Sequence, residues 1–201
     1  MDTVKKRERN LQVERHIVEA ALDTVETYTI SGTRMHLIAE RADMLQSNLH
    51  YYFKTKDELM TAVQKRVLER CIEIRNDLSK VAEKTLEAEF DVFIGQKRKF
   101  ILQEKKYDHA EIDFWLQGRL NPEMQKSFAM SYENWRRDIR RLLEKYVPNL
   151  PSKDLEYLPY HFVSMLEGAT IQYLTDEEAF DLDEYFQYAK HFFLAQVAPY
   201  R

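Results

Sequence analysis

Apolar residues in this chain return every three or four positions and nowhere alternate for long. Leu11, Val18, Leu22 and Val25 fall on one stripe, with Ile17 and Ala21 beside it. That spacing matches the period of an α-helix and not that of a half-buried strand. Helix breakers are scarce, with 4 Gly and 5 Pro in 201 residues, and Leu, Glu, Lys, Arg, Ala and Gln abound. The expected fold class is all-α: an N-terminal three-helix unit joined through a long helix to a larger helical domain.

The same periodicity places the elements. A helix is predicted over 11–27, and Gly32 then punctuates the chain. A short helix follows from about Thr33, its candidate cap, to Ala42, and a second from Gln46 to Tyr52,. Asp57 and Glu58 open a long helix to about Lys80, suited to the dipole, and Thr55 with Glu58 fits a capping box,. Further helices are predicted over 84–105, 108–119, 122–146, 155–175 and 182–197. Pro122 suits a first helical turn. Residues 147–152 form the clearest loop, and Pro159 either delays or kinks the helix after it,. No flexible linker is visible. Two domains are expected, 1–56 and 57–201, tied rigidly by the long helix.

Net charge is −4, which by itself argues against a nucleic-acid partner,. Its distribution matters more. Residues 1–56 hold 9 Lys+Arg against 8 Asp+Glu, a balance of +1, and the remainder hold 21 against 26, a balance of −5. The stretch Lys5-Lys6-Arg7-Glu8-Arg9 is a small basic arm, either a tail or an element that reaches a minor groove,. A single cysteine, Cys71, excludes a disulfide framework and any all-cysteine metal site, and suits a reducing compartment,. No apolar leader and no run of about 18 apolar residues appears. The expectation is a cytoplasmic protein with no membrane partner.

Catalytic motifs are lacking: there is no HExxH, phosphate-binding Gly-rich loop or nucleophile elbow,. Asp108, His109, Glu111 and Asp113 form the densest ligand-like cluster, and Asp108 and Glu111 share a helical face. A solvated helix start accounts for them. Cys71 reads as a buried thiol without a redox role. No metal, no cofactor and no enzymatic activity are expected.

The informative stretch is Thr33 to Lys56. Two short helices across a tight junction at Asp43-Met44-Leu45 outline a helix-turn-helix, whose second helix enters the major groove,. Ile38, Ala39 and Ala42 pack the first helix, and Leu49 and Phe53 anchor the second. That turns Gln46, Ser47, Asn48, His50 and Tyr52 outward, groups suited to base edges and phosphates. Lys56 combines a cation with free N–H groups at a helix start, a phosphate-holding arrangement. Tyr51 and Phe53 read first as core.

The run Ile38-Ala39-x-x-Ala42, followed by Leu49-x-Tyr51-Tyr52-Phe53-Lys54-x-Lys56-Asp57-Glu58-Leu59, resembles the DNA-binding domain of the TetR family over residues 10–59. Asp43 replaces the family's usual turn Gly, Leu45 its usual capping Ser, and His50 a position often held by Tyr. Asp tolerates left-handed backbone well, so the turn is expected to survive. The resemblance implies a helix-turn-helix at about 33–52 and candidate DNA contacts at Thr33, Arg34, His36, Gln46, Ser47, Asn48, His50, Tyr51, Tyr52 and Lys56.

Beyond residue 60, Met165-Leu166-Glu167-Gly168-Ala169 with Gln172, and Glu178 to Asp183, are similar to the family's C-terminal domain. The resemblance implies a C-terminal ligand-binding and dimerisation domain, a homodimer through the last two long helices, and a palindromic double-stranded DNA operator. Phe162, Leu166, Ala169, Tyr173, Tyr185, Ala189, Phe192 and Phe193 are the candidate dimer residues; the alternative is intrachain core, and a role shared between the two is favoured. Recognition helices roughly 34–36 Å apart would read the two half-sites. An unknown small-molecule effector is implied, with Trp115, Arg119, His161 and Met165 as candidate ligand contacts. The aromatics and Met between Phe90 and Trp135 read first as core. The expected function is a regulator, a repressor released by its effector. The alternative is a helical protein-interaction module without DNA binding.

Overall fold

A computed structural model describes residues 2–201, with side chains from Lys5 onward. Among the described residues there are nine helices and no strand. These are α1 (Asp2–Gly32), α2 (Met35–Arg41), α3 (Gln46–Tyr52), α4 (Lys56–Val81), α5 (Leu86–Leu102), α6 (Lys105–Gly118), α7 (Pro122–Tyr146), α8 (Ser152–Thr175) and α9 (Leu182–Val197), with a 3-10 turn at Ala198–Tyr200. None of these helices is long and apolar enough to cross a membrane. Lys5 to Arg9 are exposed and helical, part of α1. α8 starts at Ser152 and continues through a buried Pro159, so the proline does not delay it.

The chain forms two compact units, one comprising the chain through Arg70 with Lys105–Phe128, the other Cys71–Glu104 with Ala129–Arg201. The unit that holds the helix-turn-helix therefore extends past residue 56. It takes in α6 because α6 packs along α1. Its core draws Ile17, Leu22 and Val25 from α1, Ile38 from α2, Leu49 from α3, Leu59 and Val63 from α4, and Ala110 and Phe114 from α6, all buried. Leu11, expected on the α1 stripe, is exposed. Asp108 and Glu111, expected in solvent, are buried, because the face of α6 that carries them turns inward.

α1 breaks near its end. Thr29 has φ 59 and ψ 169, a left-handed conformation that a β-branched residue adopts only under constraint,. The constraint is visible. The Thr29 carbonyl accepts from the Thr33 N–H at 3.1 Å and from the Thr33 hydroxyl at 2.7 Å. The buried Ile30 N–H donates to the Asp113 carboxylate of α6 at 2.8 Å, and Lys56 Nζ donates to the Ile30 carbonyl. Between α1, α4 and α6, Glu19 accepts from Arg66 Nε at 2.9 Å, Lys106 Nζ at 3.0 Å and the Tyr107 hydroxyl at 3.1 Å.

The second unit is built on an aromatic core. Phe90 of α5 meets Phe162 of α8 at 4.7 Å and Phe193 of α9 edge-on at 4.9 Å, near the favoured separations for aromatic pairs,. Ile139 and Leu143 of α7 and Leu166, Ala169 and Phe186 complete it. Phe162, Leu166, Ala169, Ala189 and Phe193, offered above as dimer residues, are thus buried within the chain's own core, which corrects that assignment. Tyr185 is half-buried and its hydroxyl donates to the Met165 carbonyl at 3.0 Å. Tyr173 is half-buried, and of the set only Phe192 is exposed. Cys71 is buried and accepts from Gln96 Nε2 at 3.6 Å.

Candidate nucleic-acid interface and effector cavity

α2 and α3 are seven residues each and are held together by local backbone bonds. Asp43 adopts φ 50, the left-handed turn expected of it in place of Gly. Its N–H donates to the Glu40 carbonyl, and the Met44 N–H donates to Ala39 at 3.0 Å. His16 Nε2 lies 3.0 Å from the Ala42 carbonyl and pins the end of α2 to α1. Ala39 and Ala42 are buried, which lets the helices approach closely. Neither helix has a side-chain cap: Arg34, not Thr33, is the N-cap of α2, and Leu45 is that of α3. Thr33 cannot cap because its hydroxyl is committed to Thr29. It is fully buried, so it presents no surface to DNA, a correction to its listing among the candidate contacts.

Leu49 and Phe53 are buried and fix the register of α3. Gln46, Ser47, Asn48 and Tyr51 are then exposed, and His50 and Tyr52 are half-buried. Tyr51 is 65% exposed, so it is not core. Its ring meets Tyr52 edge-on at 5.1 Å and lies 5.8 Å from Lys54 Nζ. Gln46 Nε2 sits 3.4 Å from His50 Nε2. His36 and Arg34 are exposed on and before α2. Leu45, at the N-cap of α3 where the family usually has Ser, is 71% exposed.

A second cluster flanks this face. Arg34 Nη1 donates to the carbonyls of Ser31 at 2.7 Å and Thr33 at 3.1 Å. Burial pushes the Lys56 ammonium below its ordinary value, and nearby Arg34 adds to the effect against the opposing pull of Asp57. Two cations therefore share one neighbourhood at the start of α4. That start is capped as expected: the Thr55 hydroxyl accepts from the Glu58 N–H at 3.1 Å, and the Glu58 carboxylate accepts from the Lys54 N–H at 2.8 Å.

In the second unit, α4, α5 and α7 line a partly open cavity of about 320 Å³. Its apolar wall is Ile72, Val92, Phe93 and Leu142, and its polar wall includes Arg75, Glu89, Asp138 and Arg141. None of the four candidate ligand contacts lines it. Trp115 and Arg119 are exposed and belong to the other unit, His161 is exposed, and Met165 packs against the aromatic core. The sequence signal for Arg75 was absent, since one Arg among many on a helix does not announce that it is half-buried against a cavity.

Outward apolar side chains also gather on the last helices. Tyr157, Tyr160, Ile171 and Leu174 on α8 and Tyr188 and Phe192 on α9 are exposed. A Cβ built on Gly168 of α8 meets nothing within 4 Å.

Residues 17–63 match the family model described as bacterial regulatory proteins, tetR family, and residues 109–198 match that of the BetI-type transcriptional repressor, C-terminal. The HTH-type transcriptional regulator RutR of Escherichia coli (strain K12) is 40% identical over 68 residues, 33% of this chain and 32% of RutR. The matched stretch spans about a third of the length of the curated relatives. Among solved structures, a TetR transcriptional regulator from Chloroflexus aurantiacus superposes with a TM-score of 0.79 at 15% identity, covering 92% of this chain and 96% of that one. A transcriptional regulator from Saccharomonospora viridis, solved in complex with choline, gives a TM-score of 0.79 at 17% identity over 90% and 95%. These similarities show the fold. With a tetR-family model on its helix-turn-helix and a second regulator model over most of its C-terminal half, the chain belongs to the TetR family.

Proposed function

We propose that this protein is a DNA-binding transcriptional regulator and not an enzyme, acting in the cytoplasm as a homodimer on a palindromic operator. The observation that carries the reading is α3. Two buried anchors, Leu49 and Phe53, hold it so that Gln46, Ser47, Asn48 and Tyr51 stand in solvent. Gln and Asn pair bidentately with adenine, and exposed Leu45 offers an apolar contact for a thymine methyl. Arg34 and Lys56 would hold one phosphate together, and its charge would offset the burial and the nearby Arg34 that depress Lys56,.

The dimer face on this reading is the exposed set Tyr157, Tyr160, Ile171, Leu174, Tyr188 and Phe192, in place of the core residues named from the sequence. Gly168 supports it. A mid-helix Gly forgoes about 1 kcal/mol of helix propensity, and nothing in the chain itself requires its lack of a Cβ. The regulator is a repressor whose affinity for DNA a small-molecule effector lowers. The choline complex of a structural relative supports an effector of that size. The effector site is the cavity bordered by α4. That helix contributes residues to both units, so a ligand that moves it acts on the helix that carries Lys56. A coupling of about 1–3 kcal/mol would change operator affinity about 5–150-fold.

The test is selection of bound fragments from genomic DNA, followed by titration at several ionic strengths. Specific binding with a steep salt dependence is expected. Indifference to duplex DNA at every ionic strength refutes the reading.

A further inference from the structure

Arg75 stands apart from the other charges on the effector cavity. Its Nη1 is buried and has no hydrogen-bond partner. Its guanidinium carbon lies 5.3 Å from the Phe93 ring centroid and 5.8 Å from that of Trp135. Trp135 is itself buried, and its indole N–H likewise lacks an acceptor. Two buried donors thus lie side by side with nothing to receive them, whereas the great majority of buried polar groups find partners. The remaining charges on the wall have counter-ions of their own. Asp138 has Arg141 at 3.7 Å, and Glu89 has Lys84 at 3.9 Å. The charge left over is positive and belongs to Arg75.

We propose that the effector is a small carboxylate with an apolar body. The carboxylate engages the Arg75 guanidinium, and the body lies along Ile72, Val92 and Leu142. A guanidinium's planar fork matches a carboxylate, and charge-assisted pairs of this kind are the strong ones where water is scarce. The cavity volume, about 320 Å³, sits at the lower end for ligand sites and suits a compact molecule. A quaternary ammonium of the choline type would meet a like charge at the nearby aromatic rings, because the guanidinium of Arg75 already lies over Phe93 and Trp135. The proposal rests on the cavity being the effector site, and it names the chemistry that site selects.

The test uses the full chain with Trp115→Phe, so that fluorescence reports Trp135 alone. Benzoate, benzamide and choline are titrated. Benzoate is expected to bind saturably and about tenfold or more tighter than benzamide, the difference expected of a charge-assisted hydrogen bond. Arg75→Gln should abolish that preference, and Arg75→Lys should retain part of it. Leu142→Phe, which narrows the cavity from its apolar side, adds no tryptophan and leaves Arg75 in place, should weaken benzoate binding. Far-UV circular dichroism establishes that each variant folds. The inference is overturned if benzoate does not bind saturably, if it and benzamide bind within about twofold, if Arg75→Gln keeps the preference, or if choline displaces benzoate. Duplex binding by the unliganded wild-type protein is measured alongside. If it persists while the carboxylate preference is missing, the effector class fails alone. If it is missing as well, the regulator reading fails with it.

Discussion

Asp113→Ala removes the acceptor for the Ile30 N–H at the point where α1 breaks. That amide lies 2.8 Å from Asp113 Oδ2, and Ile30 is buried. A buried donor left without a partner costs about 1–3 kcal/mol. Burial raises the Asp113 carboxyl above its ordinary 3.8, and the Ile30 amide and nearby His109 oppose this only in part. The acceptor therefore stabilises the fold while its charge does not. Asn supplies the same acceptor without the charge. We expect Asp113→Ala to lower the unfolding free energy by about 1–3 kcal/mol at neutral pH, or roughly 2–10 °C in Tm. Asp113→Asn should fall within about 0.5 kcal/mol of wild type, or above it. The pH dependence carries the sign. A carboxyl raised on folding binds its proton more readily in the native state, so wild type should lose stability relative to Asp113→Asn as pH rises from 3.8 through the folded value, with no further change above it,. Urea unfolding followed by circular dichroism across that range reads the effect. An Asn variant as unstable as Ala, or a harmless Ala, would refute this role for the Asp113 acceptor.

Burial opposes ionisation of Glu19, but Arg66 and Lys106 outweigh it and hold the carboxyl below its ordinary 4.5. Its stabilisation is therefore present above 4.5 and lost as pH falls through the folded value; Glu19→Gln should cost about 1–3 kcal/mol at neutral pH and flatten the acid limb of the unfolding curve. Gly168→Trp should leave the chain folded and shift sedimentation from dimer to monomer, and an unchanged dimer would remove this face from the interface. Lys56→Ala should weaken binding to all duplexes alike and reduce the salt slope by about 1, whereas Asn48→Ala should alter base preference in a fragment selection. Unaltered preference would take Asn48 off the reading surface.

Much of this architecture was legible in the sequence because helices advertise themselves through local spacing. Pro122 starts α7, Thr55 caps α4, and Leu49 with Phe53 sets the face that α3 exposes. What escaped depends on contacts distant in sequence. No local rule places Thr29 in left-handed backbone; two side chains from elsewhere in the chain, Asp113 and Lys56, hold the residue after it. Asp108 and Glu111 look like a wetted helix start until α6 is seen to turn that face inward. α8 is apolar on two sides, with Phe162 and Leu166 inward and Tyr160 and Ile171 outward, and spacing alone does not say which side is which.

Lys56 enters any encounter with DNA already leaning on the Ile30 carbonyl. A lysine normally surrenders much of its rotational freedom when it grips a phosphate, and that loss subtracts from affinity. Here the folded chain has restrained the side chain in advance, and an ammonium has three hydrogens, so holding the carbonyl leaves donors for an incoming oxygen. An arginine at this position would keep the charge and forfeit the fit. Exchange between those two basic residues, commonly treated as silent, should register here as slower capture and quicker loss of the duplex.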